Sequence, residues 1–334
     1  MRYDRKFFIT ATVGSVLLMF WWRFFLDLRQ PSPNSMLLNK TPGLLKDFST
    51  LSNAAGKSLP KPRLIFNTSI RYYNDSLECW TDEDYLHWKQ GDFYPPGQSS
   101  GSIAFMILTG NSNLRTRCDV IMCTFGVTIH PSRLFFVGES SSDRRVPIYD
   151  VVASDTPRPV NSWWSNQKLT RGLAAVINMI NKMADGTDIK WLMVMDDDTF
   201  VSPPNLRLVL SDYDSQQPLM IGNVCGNRFC GGAGYVFSRA LFEKFPPFIL
   251  SCYPNKPDGY SDMIVSQCII RKTGVQPTDR REFNTRPPDH YTTRDVLAAR
   301  PDGFGKAATF HYMQPPKKYL DLWRLHQAFY RDGA

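Results

Sequence analysis

The most useful first facts about this chain of 334 residues are the things it does without. It has no clustered run of basic residues. Lys and Arg outnumber Asp and Glu by 39 to 31, giving a net charge of +8, yet the cations are scattered along the chain. That argues against nucleic acid as a partner, while the positive balance suits an acidic or phosphate-bearing one. No apolar run after residue 26 is long enough to span a bilayer, so the remaining chain is expected on one side of any membrane its N-terminus enters. The seven cysteines lack zinc-knuckle spacing, and CGNRFC (225–230) is a CxxxxC without a partner pair. The glycines of CGGAG are not followed by G-K-[ST], which excludes a phosphate loop of the P-loop kind.

The N-terminus carries the first positive signal. MRYDRK is basic and FFITATVGSVLLMFWW is free of charge. Residues 7–26 are short for a span but adequate in a thin bilayer at about 1.5 Å of rise per residue. Trp21 and Trp22 stand where an aromatic belt would, and Arg23 can snorkel to the headgroups. No small-x-small cleavage site follows, so a signal anchor is expected over 7–26 with a cytoplasmic tail over 1–6. Two sequons, at Asn67 and Asn74, favour a lumenal location for the rest. So do the cysteines: Cys225 and Cys230 bracket one short loop and Cys252 and Cys268 could close another. Cys79, Cys118 and Cys123 are left over, so at least one thiol is free or paired elsewhere.

Residues 27–98, rich in Pro, Ser, Asn and Lys, read as a stem that is partly packed on the domain behind it. The domain, 99–334, reads as α/β. IAFMILTG (103–110), CDVIMCTFG, RLFFVGES and VPIYDVVAS are short apolar runs closed by turn signals, as in buried parallel strands. Leu169, Leu173, Val176, Ile177, Ile180 and Met183 recur at helical spacing, and Ala184-Asp185-Gly186 ends that helix. WLMVM is a further strand that delivers Asp196, Asp197, Asp198 and Thr199 at its carboxyl end. That is where ligands sit in open sheets of this class.

Three adjacent carboxylates repel, and a divalent cation relieves that repulsion. Alternate side chains of an extended segment reach the same side, so Asp196 and Asp198 can converge on one metal–diphosphate unit while Asp197 turns into supporting hydrogen bonds. Downstream, RFCGGAGYVFSRALFEKF places three glycines in five residues, where backbone can approach a ligand closely. A strand GYVFS and a helix capped by Ser238 follow. In KPDGYSDMIVSQCIIRKTGV, Ser261 can cap a helix whose apolar face is Ile264, Val265, Cys268 and Ile269, with Asp262 in its first turn. His311 stands in the strand-like run ATFHYM.

Taken in order, DDDTFV, CGGAGYVFSRAL, YSDMIVSQCIIRKTGV and FHYM resemble the Fringe and core-1 galactosyltransferase (T-synthase) group of β-1,3-glycosyltransferases. NSWWSNQKLTRGL and DRREFNTRPPDHY share the resemblance, which covers residues 100 to 325. It implies a GT-A fold and a single-pass type II protein of the Golgi or endoplasmic-reticulum membrane. It also implies a UDP-sugar donor (galactose or N-acetylglucosamine), Mn²⁺, inversion at the anomeric carbon and a glycan or glycoprotein acceptor. Homodimers are common among Golgi transferases of this kind. On the same grounds Asp196, Asp198 and His311 would hold the metal, with Asp196 also near the ribose, and Asp262 would be the general base. Gly231 and Gly232 would line the donor and acceptor cleft, and Thr109 and Gly110 would meet the uridine. Two departures bear on acceptor choice and cleft shape. Ser261 and Ser266 replace the acidic residue and glycine that often flank the base, and Phe283-Asn284 stands where many relatives have Phe-His. The contrasting expectation is a catalytically silent lumenal chaperone or carbohydrate-binding relative, against which DDD, Asp262 and His311 all speak.

Overall fold

The computed structural model describes residues 79–93, 101–139, 141–142, 145–152, 163–252, 260–290 and 306–331. The expected anchor, most of the stem and both sequons lie outside these residues. The chain divides into two units, 1–60 and 61–334, and everything described belongs to the second. Among the described residues no helix is long and apolar enough to cross a membrane.

The order of elements is α1 (Asp82–Gln90), β1 (Ile103–Leu108), α2 (Asp119–Met122), β2 (Leu134–Gly138), β3 (Ile148–Asp150), α3 (Trp163–Lys182) and β4 (Trp191–Asp196). These are followed by β5 (Phe200–Val201), α4 (Pro203–Ser211), β6 (Met220–Gly222), β7 (Val224–Cys225), β8 (Arg228–Phe229), β9 (Tyr235–Ser238) and α5 (Arg239–Phe242). The chain continues with α6 (Ser261–Thr273), β10 (Pro277–Asp279), β11 (Phe283–Asn284), β12 (Thr309–Phe310) and α7 (Pro316–Arg331).

Seven strands form the main sheet in the order β10-β6-β9-β4-β1-β2-β3. The α/β class is as expected, but the sheet is mixed. β9 runs antiparallel to both β4 and β6, whereas β4, β1, β2 and β3 are mutually parallel. Alternation along each strand divides two faces. Ala104 and Met106 of β1 and Leu192 and Val194 of β4 join one core cluster with the stripe Leu169, Leu173, Val176, Ile177 and Ile180 of α3. Val265, Cys268 and Ile269 of α6 enter the same cluster, so α3 and α6 cover that face together. On the other face Phe105 meets Phe125, with ring centroids 5.8 Å apart.

CDVIMCTFG is not a strand. A π-helical turn over Leu114–Cys118 runs into α2, and all four residues of α2 are buried. A helix enclosed on every side shows no apolar period, so a short run of this kind reads like a buried strand. Its return is tight, because a Cβ on Gly126 would lie 2.7 Å from the carbonyl oxygen of Ile121.

The disulfides are Cys225–Cys230, Cys252–Cys268 and Cys79–Cys123, with Cys118 a buried free thiol. Cys79–Cys123 ties α1 to the α2 segment. Trp80 Nε1 donates to Arg145 O at 2.7 Å, and Trp88 Nε1 donates to Ile129 O at 3.0 Å. α1 is thus an integral part of the domain. It opens with a reciprocal capping box between Thr81 and Asp84 and closes on Gly91 at φ 84°.

Candidate active site

β4 ends at Asp196, and the chain folds sharply there: Asp197 N donates to Leu108 O and Thr199 N to Asp196 O, both at 3.1 Å. β5 then begins a small second sheet, β11-β12-β5. Its register pairs Thr309 with Val201 and Phe310 with Phe200, so the next residue, His311, arrives beside the aspartate turn. Met313 N donates to Asp198 O at 3.0 Å, and Tyr319 OH to Thr199 O at 2.9 Å, fixing the turn from behind.

His311 Nε2 lies 3.2 Å from Asp198 Oδ1 and 4.0 Å from Asp196 Oδ2. One ligand atom from each of the three residues falls within 4.8 Å of the others. A further observation tests whether a cation fits. A Cβ added to Gly232 would overlap both His311 Nε2 and Asp196 Oδ2, so the glycine keeps open a small hollow walled by carboxylate oxygen and imidazole nitrogen. Two carboxylates and one histidine around such a hollow suit a divalent ion of the Mg²⁺ or Mn²⁺ type.

Asp197 turns the other way, as alternation requires. Its Oδ2 accepts from Thr109 Oγ1 at 2.7 Å and Asn113 Nδ2 at 2.9 Å, while Arg117 Nη1 sits 2.7 Å from Oδ1. A cavity of about 1060 Å³ at the carboxyl ends of β1 and β4 joins these groups. It runs from Thr109 and Gly110 past Asp196 and Asp198 to Asp262.

The Fringe-like family model matches residues 99–330 of this chain. The chain belongs to the Fringe-like family. A mouse β-1,3-glucosyltransferase is 34% identical over 141 residues, covering 40% of this chain and 27% of that protein. A glycoprotein-N-acetylgalactosamine 3-beta-galactosyltransferase 1 from Xenopus laevis is 27% identical over 40% of each chain. Human chondroitin sulfate glucuronyltransferase is 26% identical over 67% of this chain and 28% of its own. This chain therefore matches well under half the length of these curated relatives. Among solved structures, galactosyltransferase LgtC in complex with donor and acceptor sugar analogs aligns at 13% identity with a TM-score of 0.39, over 66% of this chain and 95% of that one.

In this Fringe-like chain the glycine-rich turn Gly231–Ala233 is 3-10 helical, and Gly234 reverses the backbone at φ 78° to start β9. Thr199 Oγ1 donates to Gly232 O, fastening the turn to the aspartates. α6 begins one residue earlier than its sequence implies. Tyr260 occupies the cap without a side-chain hydrogen bond, and Ser261 is the first helical residue. The apolar residues packed beneath α6 fix its start more strongly than a serine cap does. Asp262 remains in the first turn, buried, and lines the cavity. Asn284 is structural: its Nδ2 donates to Thr309 O at 3.0 Å and its backbone carbonyl accepts from His311 N at 3.0 Å.

The electrostatics are uneven. The Asp196 side chain is 45% exposed at the mouth of the cavity, but the protein packed around its carboxyl and the neighbouring charge of Asp198 push it up to about 7, a rise that solvent at the mouth tempers. Burial would also raise Asp198, but the hydrogen bond and charge of His311, together with Arg117 and Gln314, outweigh it and hold that carboxyl below its usual range. Arg117, Asn113 and Gln314, whose Nε2 is 3.2 Å from Asp198 Oδ2, carry no signal in the sequence. Nor do Glu139 and Lys168, an ion pair at 3.1 Å beside Gly110. Thr109, expected at the uridine, gives its hydroxyl to Asp197.

Proposed function

We propose that the chain is an inverting β-1,3-glycosyltransferase that moves a hexose from a UDP-sugar to a hydroxyl of a glycan or glycoprotein. The observation that carries this reading is the Asp196–Asp198–His311 hollow over Gly232, opening into the same cavity as the buried Asp262. Membership of the Fringe-like family and the activities for which the matched relatives are named support it. Galactose and N-acetylglucosamine are the expected donor sugars, and the names of the relatives add glucose.

Asp196, Asp198 and His311 would hold a divalent ion, Mn²⁺ in this reading. When bound, it neutralises charge developing on the diphosphate leaving group. Thr109 and Asn113 hold Asp197 turned away, so the two flanking carboxylates face one point. Asp262 takes the proton of the acceptor hydroxyl. That oxygen forms its bond to the anomeric carbon while the carbon–phosphate-oxygen bond breaks, and UDP departs with the electron pair. One displacement without a covalent sugar–enzyme species inverts the anomeric centre. The N-terminal apolar run and the three disulfides favour a type II protein of the Golgi or endoplasmic-reticulum membrane, with the domain in the lumen.

The test is UDP release by the full chain in detergent, with Mn²⁺, a panel of UDP-sugars and saccharide acceptors, beside Asp198→Ala and Asp262→Asn. Turnover of a donor by wild type and by neither variant is the expected result. Wild-type release no higher than that of the variants, across every donor, would sink the transferase reading and favour a silent binder.

A further inference from the structure

Arg117 has a role that its partners within the fold do not exhaust. It is carried by the single π-helical turn Leu114–Cys118, in which Leu114 and Cys118 are buried and Arg117 faces the cavity. Turns of this type appear often at functional sites, where the extra residue re-aims a side chain. Nη1 is committed: it donates to Asp197 Oδ1 at 2.7 Å and lies 3.6 Å from Asp198 Oδ2. Nε and Nη2 make no hydrogen bond among the described residues, and the side chain is 29% exposed. Asp197 does not depend on Arg117 alone, since Thr109 and Asn113 already fill its other oxygen. A guanidinium has five donors in a fixed fork, and here one nitrogen is anchored on Asp197, 3.6 Å from Asp198 Oδ2, on a side chain that lines the cavity.

We infer that Arg117 binds the diphosphate of the donor directly, alongside the metal carboxylates, as a catalytic residue that stabilises the leaving group. The inference rests on the transferase reading. The charges support it. A UDP-sugar carries two negative charges on its diphosphate, and departure of the sugar adds a third as the carbon–oxygen electron pair stays with the phosphate. A bound divalent ion would supply two positive charges against three aspartates, so a fixed cation at the edge of the carboxylate cluster falls where charge accumulates. Anchorage of Nη1 on Asp197 means that the fork is already oriented before the donor arrives.

The test separates phosphate binding from support of the metal site. Arg117→Lys and Arg117→Met, as full chains in detergent, are titrated with three probes: Mn²⁺ alone, UDP with Mn²⁺, and uridine with Mn²⁺. Loss of a charge-assisted hydrogen bond pair is expected to weaken UDP about tenfold to a hundredfold. Affinities for Mn²⁺ alone and for uridine, which has no phosphate, should stay at wild-type values. Lysine keeps the charge but loses the fork, so it should fall between methionine and wild type. Unchanged UDP affinity in Arg117→Met overturns the inference, as does an equal loss of Mn²⁺ affinity, which would make Arg117 a support for Asp197 and Asp198. Wild-type protein that binds Mn²⁺ but no UDP would instead strike at the transferase reading itself.

Discussion

Replacing Gly232 with alanine adds one methyl group at the centre of the site. That methyl would overlap His311 Nε2 and Asp196 Oδ2, atoms that stand 4.0 Å apart. Something must yield. His311 is poorly able to: its side chain is 8% exposed, Nε2 is held 3.2 Å from Asp198 Oδ1, and its ring stacks on Tyr312 at 3.8 Å. The glycine turn is fastened by Thr199. Asp196, with 45% of its side chain exposed, is the group that moves. Overpacking should cost about 1–3 kcal/mol of stability. Disturbing residues that merely orient metal ligands costs about 10- to 100-fold in metal affinity, so displacing a ligand should cost ~100-fold or more. The assay is titration calorimetry with Mn²⁺ on wild type and Gly232→Ala, with thermal melts in chelator to confirm folding. Gly234→Ala is the control. At φ 78° and ψ 161° it occupies backbone space that is essentially reserved for glycine, a strain of about 1–3 kcal/mol for alanine, and its Cβ meets the flexible end of Met193 rather than a ligand. It should melt earlier yet bind Mn²⁺ normally. If Gly232→Ala binds Mn²⁺ as wild type does, the hollow is not where the metal sits and the reasoning fails.

Three other outcomes are expected. Asp196, raised from 3.8 to about 7, holds a proton in the metal-free fold that the unfolded chain has released; its contribution to stability is full below pH 3.8 and is lost as pH rises through about 7. The stability of metal-free wild type relative to Asp196→Asn should therefore decline across that window, with Mn²⁺ affinity climbing over the same range; parallel melting curves would count against it. Asp262→Asn should lower turnover by about 10²- to 10⁴-fold and leave UDP–Mn²⁺ binding intact, as checked by single-turnover kinetics and titration; wild-type turnover in that variant would remove Asp262 from the base role. Replacing Cys79 and Cys123 with serine opens a link across a separation of 44 residues, for which chain entropy sets a loss of about 4 kcal/mol in urea unfolding; a loss under about 1 kcal/mol would mean that α1 is held by packing alone.

What could be read in advance depended on whether a feature is local. WLMVM was legible as a strand because it is short, apolar and closed by charge, and α3 because its buried stripe keeps helical spacing over twenty residues. The opposed directions of Asp196 and Asp197 follow from extended backbone. α2 reads as a strand because burial on all sides erases the period that tells helix from strand. β9 had a strand's sequence, but nothing local encodes its direction, which is set by the reversal at Gly234. The disulfides divide the same way: the pairs separated by 5 and 16 residues were visible as candidates, whereas Cys79–Cys123 emerges only when α1 docks. Arg117 and Gln314 reach the aspartates from 80 and 116 residues away, and no spacing rule joins positions so distant.

The docking of α1 has a practical consequence for where the protein can be cut. The Fringe-like match starts at residue 99, which invites expression of a fragment beginning there. Such a fragment would lose Cys79, Trp80 and Trp88, vacating two tryptophan sockets against Arg145 and Ile129. It would also leave Cys123 without its partner, five positions from the buried thiol of Cys118, which itself lies 3.1 Å from Thr109 Oγ1. Under oxidising conditions two unpaired sulfurs would then stand on the segment that carries Arg117, open to mispairing beside the cleft. A fragment that keeps residue 79 and everything after it avoids both defects.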